Sequence, residues 1–527
     1  MFLQRIALVF VTVMSGAVMY AQNSAPQIRN LKAEADTVSG EVVITYDLID
    51  PDSREVEVFL RASNDYGQTW LVYTHSARGD IGRDVRPGKN KRIVWAYNRR
   101  AGNVLDFYVK VIADDGQNPG YENITGKVAE GRLQRDILTM QGPRHYLTGA
   151  PGLEIAQRLL TNRLHDLGMD VRRQKIMLGS YEGQNISGQL RGDVTETDVI
   201  MVAAHYDTDG ESQGANDNAS GVAVMLEAAR ILTEVKLRKS VVFVGFDLQK
   251  QGGIGSRRYL QKLSEYERKN IKAAYILDNV GRYSDVIFTQ QFDPPQKRMF
   301  TALVPRLESE QWRGNFLFAI SDENSIPARN TFATTAEVAT PQFRVEALKV
   351  PAVGAEKVLF GSHMFLPFWE QEIPAVLLTD GAESRKTDYA VSEDIADKLD
   401  FERMGEVVRA LVATIAEKAG YIHGDVQVSG ISLKEQGMTR RPPDHLVDYH
   451  LYLTDDDEIL KVRINHPEHG RLKLRLVDPS GEVFYQSRID LYYNSVINID
   501  ISYLPKGVYL VNLVGSHFDE IKEFVLR

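Results

Sequence analysis

The sequence predicts an α/β protein: a three-layer αβα domain with a mostly parallel mixed sheet, flanked by N- and C-terminal β-sandwich domains. Three observations predict it. Between Gln27 and Asp115 apolar and polar residues alternate, as in EVVITYDL and EVEVFLRAS, with turn residues between the runs, which is the pattern of half-buried antiparallel strands. Further on, the continuous apolar runs VIMVAA and VVFVGF are separated by a helical stretch, GVAVMLEAARIL, as in a buried parallel sheet with crossover helices. After Gly424 the period-two runs return in ILKVRI, RLKLRLVD, SVINIDIS and GVYLVNLV.

Composition sets the class. The 527 residues, 43% hydrophobic and 25% charged, suffice for about three globular domains. A net charge of −9 disfavours nucleic acid as a partner. The chain has no cysteine, which excludes a disulfide framework and a lipidated N-terminal cysteine. Residues 1–21 place Arg5 before an apolar run, Ile6 to Tyr20, that ends in Ala21, the layout of a signal peptide. No later stretch reaches the ~20 apolar residues that span a bilayer. The expected location is therefore outside the cytoplasm: periplasm, cell surface or medium.

Taken in order, residues 24–116 carry the first β domain, with turns at Asp50-Pro51, Pro87-Gly88 and Asp114 to Gly116. It resembles a fibronectin-type-III-like or immunoglobulin-like module, and Ser63 to Trp70 resembles the Asp-box hairpin of sialidases. Residues 117–135, with Pro119-Gly120, read as a linker. The central domain, 136–422, opens with a helix over Leu153 to Leu167 that stops at Gly168. Val171 to Leu178, Asn185 to Leu190 and Val199 to Ala204 read as strands. The last of these delivers His205 and Asp207 to its carboxyl end, where open α/β sheets place their sites. Gly214 to Ser220 turns the chain, with Asp217 in the turn, before the helix Gly221 to Leu232 and the strand Val241 to Phe246. An imidazole and a carboxylate arriving from separate loops is how metal sites are assembled.

HYD, GANDNASG and FDLQKQGGIGS occur together with GPRHYLTGAPG, LHDLGMDVRRQ, ILDNVG, PFWEQEIPAVLLTDG and DYAVSEDIADKLD. This set, from about Gln141 to Gly420, resembles metallopeptidase family 28. That family comprises co-catalytic zinc aminopeptidases, glutamate carboxypeptidases, glutaminyl cyclases and the non-catalytic transferrin-receptor ectodomain. The resemblance implies one metal held by His205, Asp217 and Asp278, with Asp207 behind them. It also implies a second metal that shares Asp217 and needs a Glu and a His; those positions here are Lys250 and Ala390. The family's general base is a Glu whose place is taken by Gln249, and an amide cannot take the proton. No Asp or Glu lies between Leu248 and Ser264 to substitute. An ammonium about 4 Å from a dication is repelled by roughly 8 kcal/mol at an effective dielectric of ~20, so a charged Lys250 excludes the second metal.

Gln291 to Gly361 is longer than a simple connection and is expected near the rim of the site; His363 reads as a loop histidine. Residues 423–527 form the second β-sandwich, and DPSGEVFYQS, LPKGVYLVNLV and KEFVLR resemble the C-terminal sorting domains of the type IX secretion system. The expected function is a secreted or cell-surface zinc-aminopeptidase homologue that has lost peptidase activity and acts as a binding or scaffolding module. The alternative is a weak one-metal zinc aminopeptidase; a glutaminyl-cyclase-like acyltransferase has lost two of its three metal-site residues. The expected cofactor is none, or one zinc at the first site. Expected partners are a protein, peptide or glycan ligand and, through the C-terminal domain, the secretion machinery, with neither nucleic acid nor a transmembrane segment.

Overall fold

The computed structural model describes residues 23–36, 39–64, 67, 70, 72–97, 107–351, 364–381, 384–385, 393–433, 448–453, 459–465, 470–477, 483–491, 495–514 and 519–526. The expected signal peptide, residues 1–21, lies outside them, as do Ala390 and His363. Among the described residues no helix is long and apolar enough to cross a membrane.

Strands β1 (Gln27–Asp36), β2 (Glu41–Ile49), β3 (Val56–Ser63), β4 (Arg78–Gly79), β5 (Gly82–Val85), β6 (Gly88–Ala96) and β7 (Tyr108–Asp114) build the N-terminal β domain. Alternation decides their faces: along β2, Val42, Ile44, Tyr46 and Leu48 all point into the core.

The central sheet contains β8 (Asp170–Leu178), β9 (Tyr181–Leu190), β10 (Thr195–His205), β11 (Lys239–Phe246), β12 (Ile271–Leu277), β13 (Phe316–Ser321), β14 (Arg344–Lys349) and β15 (Ala375–Thr379). Their order is β14-β13-β15-β12-β10-β11-β9-β8. The pairs β10/β11, β10/β12, β12/β15 and β13/β14 are parallel; β13/β15, β9/β11 and β8/β9 are antiparallel. Helices Glu130–Met140, Ala150–Asp166, Gly221–Leu232, Ile326–Ala339 and Phe401–Ala419 supply the core on one face, and Ile254–Lys262 and Leu366–Glu370 that on the other. In β10, Ile200, Val202 and Ala204 serve the first core while Met201 and Ala203 serve the second. That double duty is why the strand reads as an unbroken apolar run. The expected three-layer αβα architecture with a mostly parallel mixed sheet is the one observed.

Three expectations about organisation change. Residues 117–135 are not a free linker: Tyr121, Ile124 and Leu133 are buried in the central core, and the Tyr121 hydroxyl donates to Glu417 at 2.7 Å. Of the segment Gln291 to Gly361, the described part, up to Pro351, is not chiefly a rim loop; it supplies β13, β14 and the helix between them, because FLFAI is itself a fully buried strand. The boundary expected at 422/423 also shifts. Strand β16 (Gly424–Leu433) pairs antiparallel with β7 and parallel with β1, giving the order β4-β6-β2-β1-β16-β7-β3-β5. Without β16, those two strands would present unpaired edges. The central domain is thus an insertion within the N-terminal β domain.

After β16 come β17 (Asp448–Leu453), β18 (Ile459–Asn465), β19 (Gly470–Val477), β20 (Val483–Leu491), β21 (Ser495–Asp500), β22 (Gly507–Val514) and β23 (Asp519–Leu526). They form sheets β17-β18-β21 and β20-β19-β22-β23 around one core that includes Leu460, Val462, Leu474, Leu476, Val511 and Leu513. Both sheets contribute side chains to that core.

Candidate metal site

Parallel pairing of β10 with β11 and β12 brings three carboxyl ends to one edge: His205 closes β10, Asp278 follows β12, and Asp247 to Lys250 follow β11. Asp217 reaches this edge from the turn before the helix Gly221–Leu232. The two asparagines of GANDN stitch that turn to the end of β12. Asn218 donates to the Leu277 carbonyl at 2.8 Å and accepts from Asn279 N at 3.1 Å, while Asn216 accepts from Gly281 N at 2.8 Å. Gly214, at φ +62, opens the turn, and a Cβ there would run into Thr208 and Arg144, so only glycine fits.

His205, Asp217 and Asp278 each offer a ligand atom, and these atoms lie within 4.8 Å of one another. His205 is 1% exposed. Its Nδ1 lies 3.0 Å from the Asp207 carbonyl; a carbonyl only accepts, so Nδ1 carries the proton. In the neutral ring Nε2 is then a lone pair, and it faces Asp217 Oδ1 at 3.3 Å and Asp278 Oδ1 at 3.5 Å. Three lone pairs converging in a buried space require a cation between them. A second proton is one answer: burial opposes it, but bonds to Asp207, Asp217 and Asp278 hold the imidazole well above its usual range. A metal ion is the other. With the ring neutral, Asp217 Oδ1 lacks a hydrogen-bond donor, as a ligand atom would. The residues present fit one metal.

A lysine stands beside that position. Lys250 Nζ stands 2.5 Å from Asp217 Oδ2 and 3.8 Å from Asp209 Oδ2, and its backbone N–H donates to Asp207 Oδ2 at 2.8 Å. Asp217 therefore bridges the metal position and an ammonium. Against the opposing effect of burial, Lys250 and then His205 hold the Asp217 carboxyl well below the carboxylate range, and Asp217 holds Lys250 protonated well above its own. Gln249 is also in place: its Oε1 accepts from Ser256 N at 3.3 Å, at the start of the helix Ile254–Lys262. Asp247 is displaced upward: burial, then the charge of Asp207, lifts its carboxyl to about 6.

Two residues of the site were not singled out from the sequence. Arg144 is fully buried and donates to the carbonyls of Met140, Gly142, Tyr206 and Gly214, clamping the loop that carries His205 and Asp207. Asp394 accepts the N–H groups of Asn216 at 2.7 Å and Asp217 at 2.9 Å, fixing the turn. Their sequence signals are the Arg of GPRHYLTGAPG and the first Asp of EDIAD.

Residues 185–342 match Peptidase family M28. The matched stretch lies within the central domain and contains His205, Asp217 and Asp278. Its curated relatives include aminopeptidase YwaD of Bacillus subtilis, 42% identical over 99 residues, which is 19% of this chain and 22% of that protein. The uncharacterized protein YfbL of Escherichia coli is 26% identical over 230 residues, 41% of this chain and 66% of that one. The matches to these two thus span about a fifth and about two thirds of their lengths. Among solved structures, the LapA aminopeptidase of Legionella pneumophila superposes on this chain with a TM-score of 0.44 at 17% identity, covering 57% of this chain and 75% of that one. Residues 457–527 match the secretion system C-terminal sorting domain, which points to secretion or the cell surface.

Proposed function

We propose that this protein is an exported member of the M28 group that binds one zinc at His205, Asp217 and Asp278, does not hydrolyse peptides, and serves as a ligand-binding module. The observation that carries the reading is the Lys250 to Asp217 pair at 2.5 Å. Asp207, Asp217 and Asp278 bring three negative charges and Lys250 one positive, so a single dication beside a neutral His205 balances the site. A second dication would add an uncompensated charge beside the ammonium, at a cost of roughly 8 kcal/mol at 4 Å and an effective dielectric of ~20. Gln249 offers no base to activate water, a loss typically worth ~10²- to 10⁴-fold. Export rests on the sorting domain and on removal of residues 1–21 as a signal peptide.

A second reading, a slow one-metal aminopeptidase, is favoured by the complete His205, Asp217 and Asp278 set and by the aminopeptidases among the chain's relatives. Metal analysis and an aminoacyl-anilide assay on the purified protein separate the two. The proposal expects one zinc per chain and no turnover. Turnover that is lost with a chelator and in His205→Ala would select the aminopeptidase.

A further inference from the structure

Two of the polar atoms left buried and unpartnered in this site have opposite needs: Asp217 Oδ1 is an acceptor and Gln249 Nε2 a donor. A cation satisfies the first and only an acceptor atom satisfies the second. The amide orientation of Gln249 is not arbitrary. A backbone N–H can only donate, so the Ser256 contact at 3.3 Å assigns Oε1 to the first turn of the helix Ile254–Lys262 and leaves Nε2 free. Gln249 is 5% exposed, and leaving such an amide N–H unpaired is a standing cost that a bound oxygen would remove. The neighbouring residue reaches the metal position twice, through its backbone N–H on Asp207 and its ammonium on Asp217. Where a peptidase needs proton and metal acceptors in sequence, this chain presents two donors.

We infer that Gln249 is a ligand-binding residue whose side-chain amide holds an acceptor oxygen of a carboxylate beside the His205, Asp217 and Asp278 position. The ligand class is the carboxylate end of an amino acid or short peptide, held rather than cleaved. This rests on the one-metal reading above and adds to it the polarity of what the site takes. No bond is made or broken: the amide N–H gains an acceptor, and the carboxylate exchanges water for the amide and the neighbouring cation.

The test uses the full-length protein loaded with one equivalent of cobalt(II), whose visible spectrum reports ligand oxygens arriving at the metal. Glycine, glycylglycine and acetohydroxamate are titrated in parallel; the first two distinguish a free amino acid from a peptide terminus. The expected result is a saturable spectral change for acetohydroxamate and for at least one of the other two. Gln249→Leu and the isosteric Gln249→Glu should each weaken that binding at least tenfold while cobalt stoichiometry stays at one. Equal affinity in either folded variant overturns the inference, as does the absence of any spectral response in the unaltered protein. Anilide turnover by the zinc-loaded sample would instead remove the non-hydrolytic reading and leave the Gln249 contact to be judged by the titrations.

Discussion

Lys250 brings its charge to the position where the family resemblance implies a second metal, and its pairing with Asp217 is the contact on which the whole site turns. Both side chains are largely buried, 19% and 15% exposed. Such a pair adds little net stability over an apolar replacement, but removing one partner strands the other, at about 3 to 5 kcal/mol. Lys250→Ala is therefore predicted to lower the unfolding free energy by an amount of that order. Zinc should return more of the loss in the variant than it adds to the unaltered protein, because Asp217 Oδ2 is then free for the ion. Urea denaturation with and without zinc measures both effects, and an unchanged midpoint in the variant contradicts the pairing. The residue types of this pair were legible in the sequence because the motifs fix their positions. The lone-pair convergence on His205 was not, since it depends on which ring nitrogen meets the Asp207 carbonyl.

The turn after β11 has its own acid. Asp247 Oδ1 accepts from Leu248 N at 2.8 Å and its Oδ2 from Gln184 N at 3.1 Å, yet burial and the nearby Asp207 lift its carboxyl from 3.8 to about 6. Between those two values the native state keeps a proton that the unfolded chain has released. The native state then binds more protons, so this group's contribution to stability is highest below pH 4 and falls as pH rises through 6. The difference of about two pH units corresponds to about 3 kcal/mol. Asp247→Asn, which cannot titrate, is predicted to flatten the fall in stability between pH 4 and 6.5 by about that amount relative to the unaltered protein. Chemical denaturation at several pH values reads it; parallel slopes in the two proteins would contradict the assignment. The strands and helices around this turn were legible because periodicity depends on burial alone. Arg144 and Asp394 escaped because their roles lie in hydrogen bonds to backbone groups 62 and 177 residues away.

At the scale of the whole molecule, the N-terminal β domain docks at the far end of the central sheet from the site. Arg238, at the entry to β11, pairs with Asp114 at 2.5 Å and Glu57 at 3.0 Å, and Lys110 pairs with Asp193 at 3.0 Å. β11 is eight residues long, so at ~3.3 Å per residue this junction lies about 25 Å from the metal position. The C-terminal sandwich touches a different surface, through Arg173 to Asp500 at 2.9 Å and His165 to the Asn498 carbonyl at 3.0 Å. Because β16 lies between β1 and β7, a chain ending after Leu433 is predicted to stay folded and monomeric. One ending after Ile422 should lose the N-terminal core and aggregate through the two exposed strand edges. Size-exclusion chromatography and limited proteolysis of the two truncations check this; equal behaviour would mean that β16 is dispensable.

The sequence by itself determined the αβα layer order and put His205, Asp217, Asp278 and Lys250 within recognisable motifs, because each is written in local periodicity or within a short motif. Only the tertiary structure decided that the segment after Ile422 returns to the first β domain and that Phe316 to Lys349 builds sheet rather than rim. It also decided which oxygen of Asp217 faces the metal position and which faces Lys250. The reason is physical: a strand's partner, a buried atom's missing hydrogen bond and the sharing of one carboxylate between two cations are set by chain segments distant in sequence. Alternation along a strand says which face is buried, and nothing about what covers it.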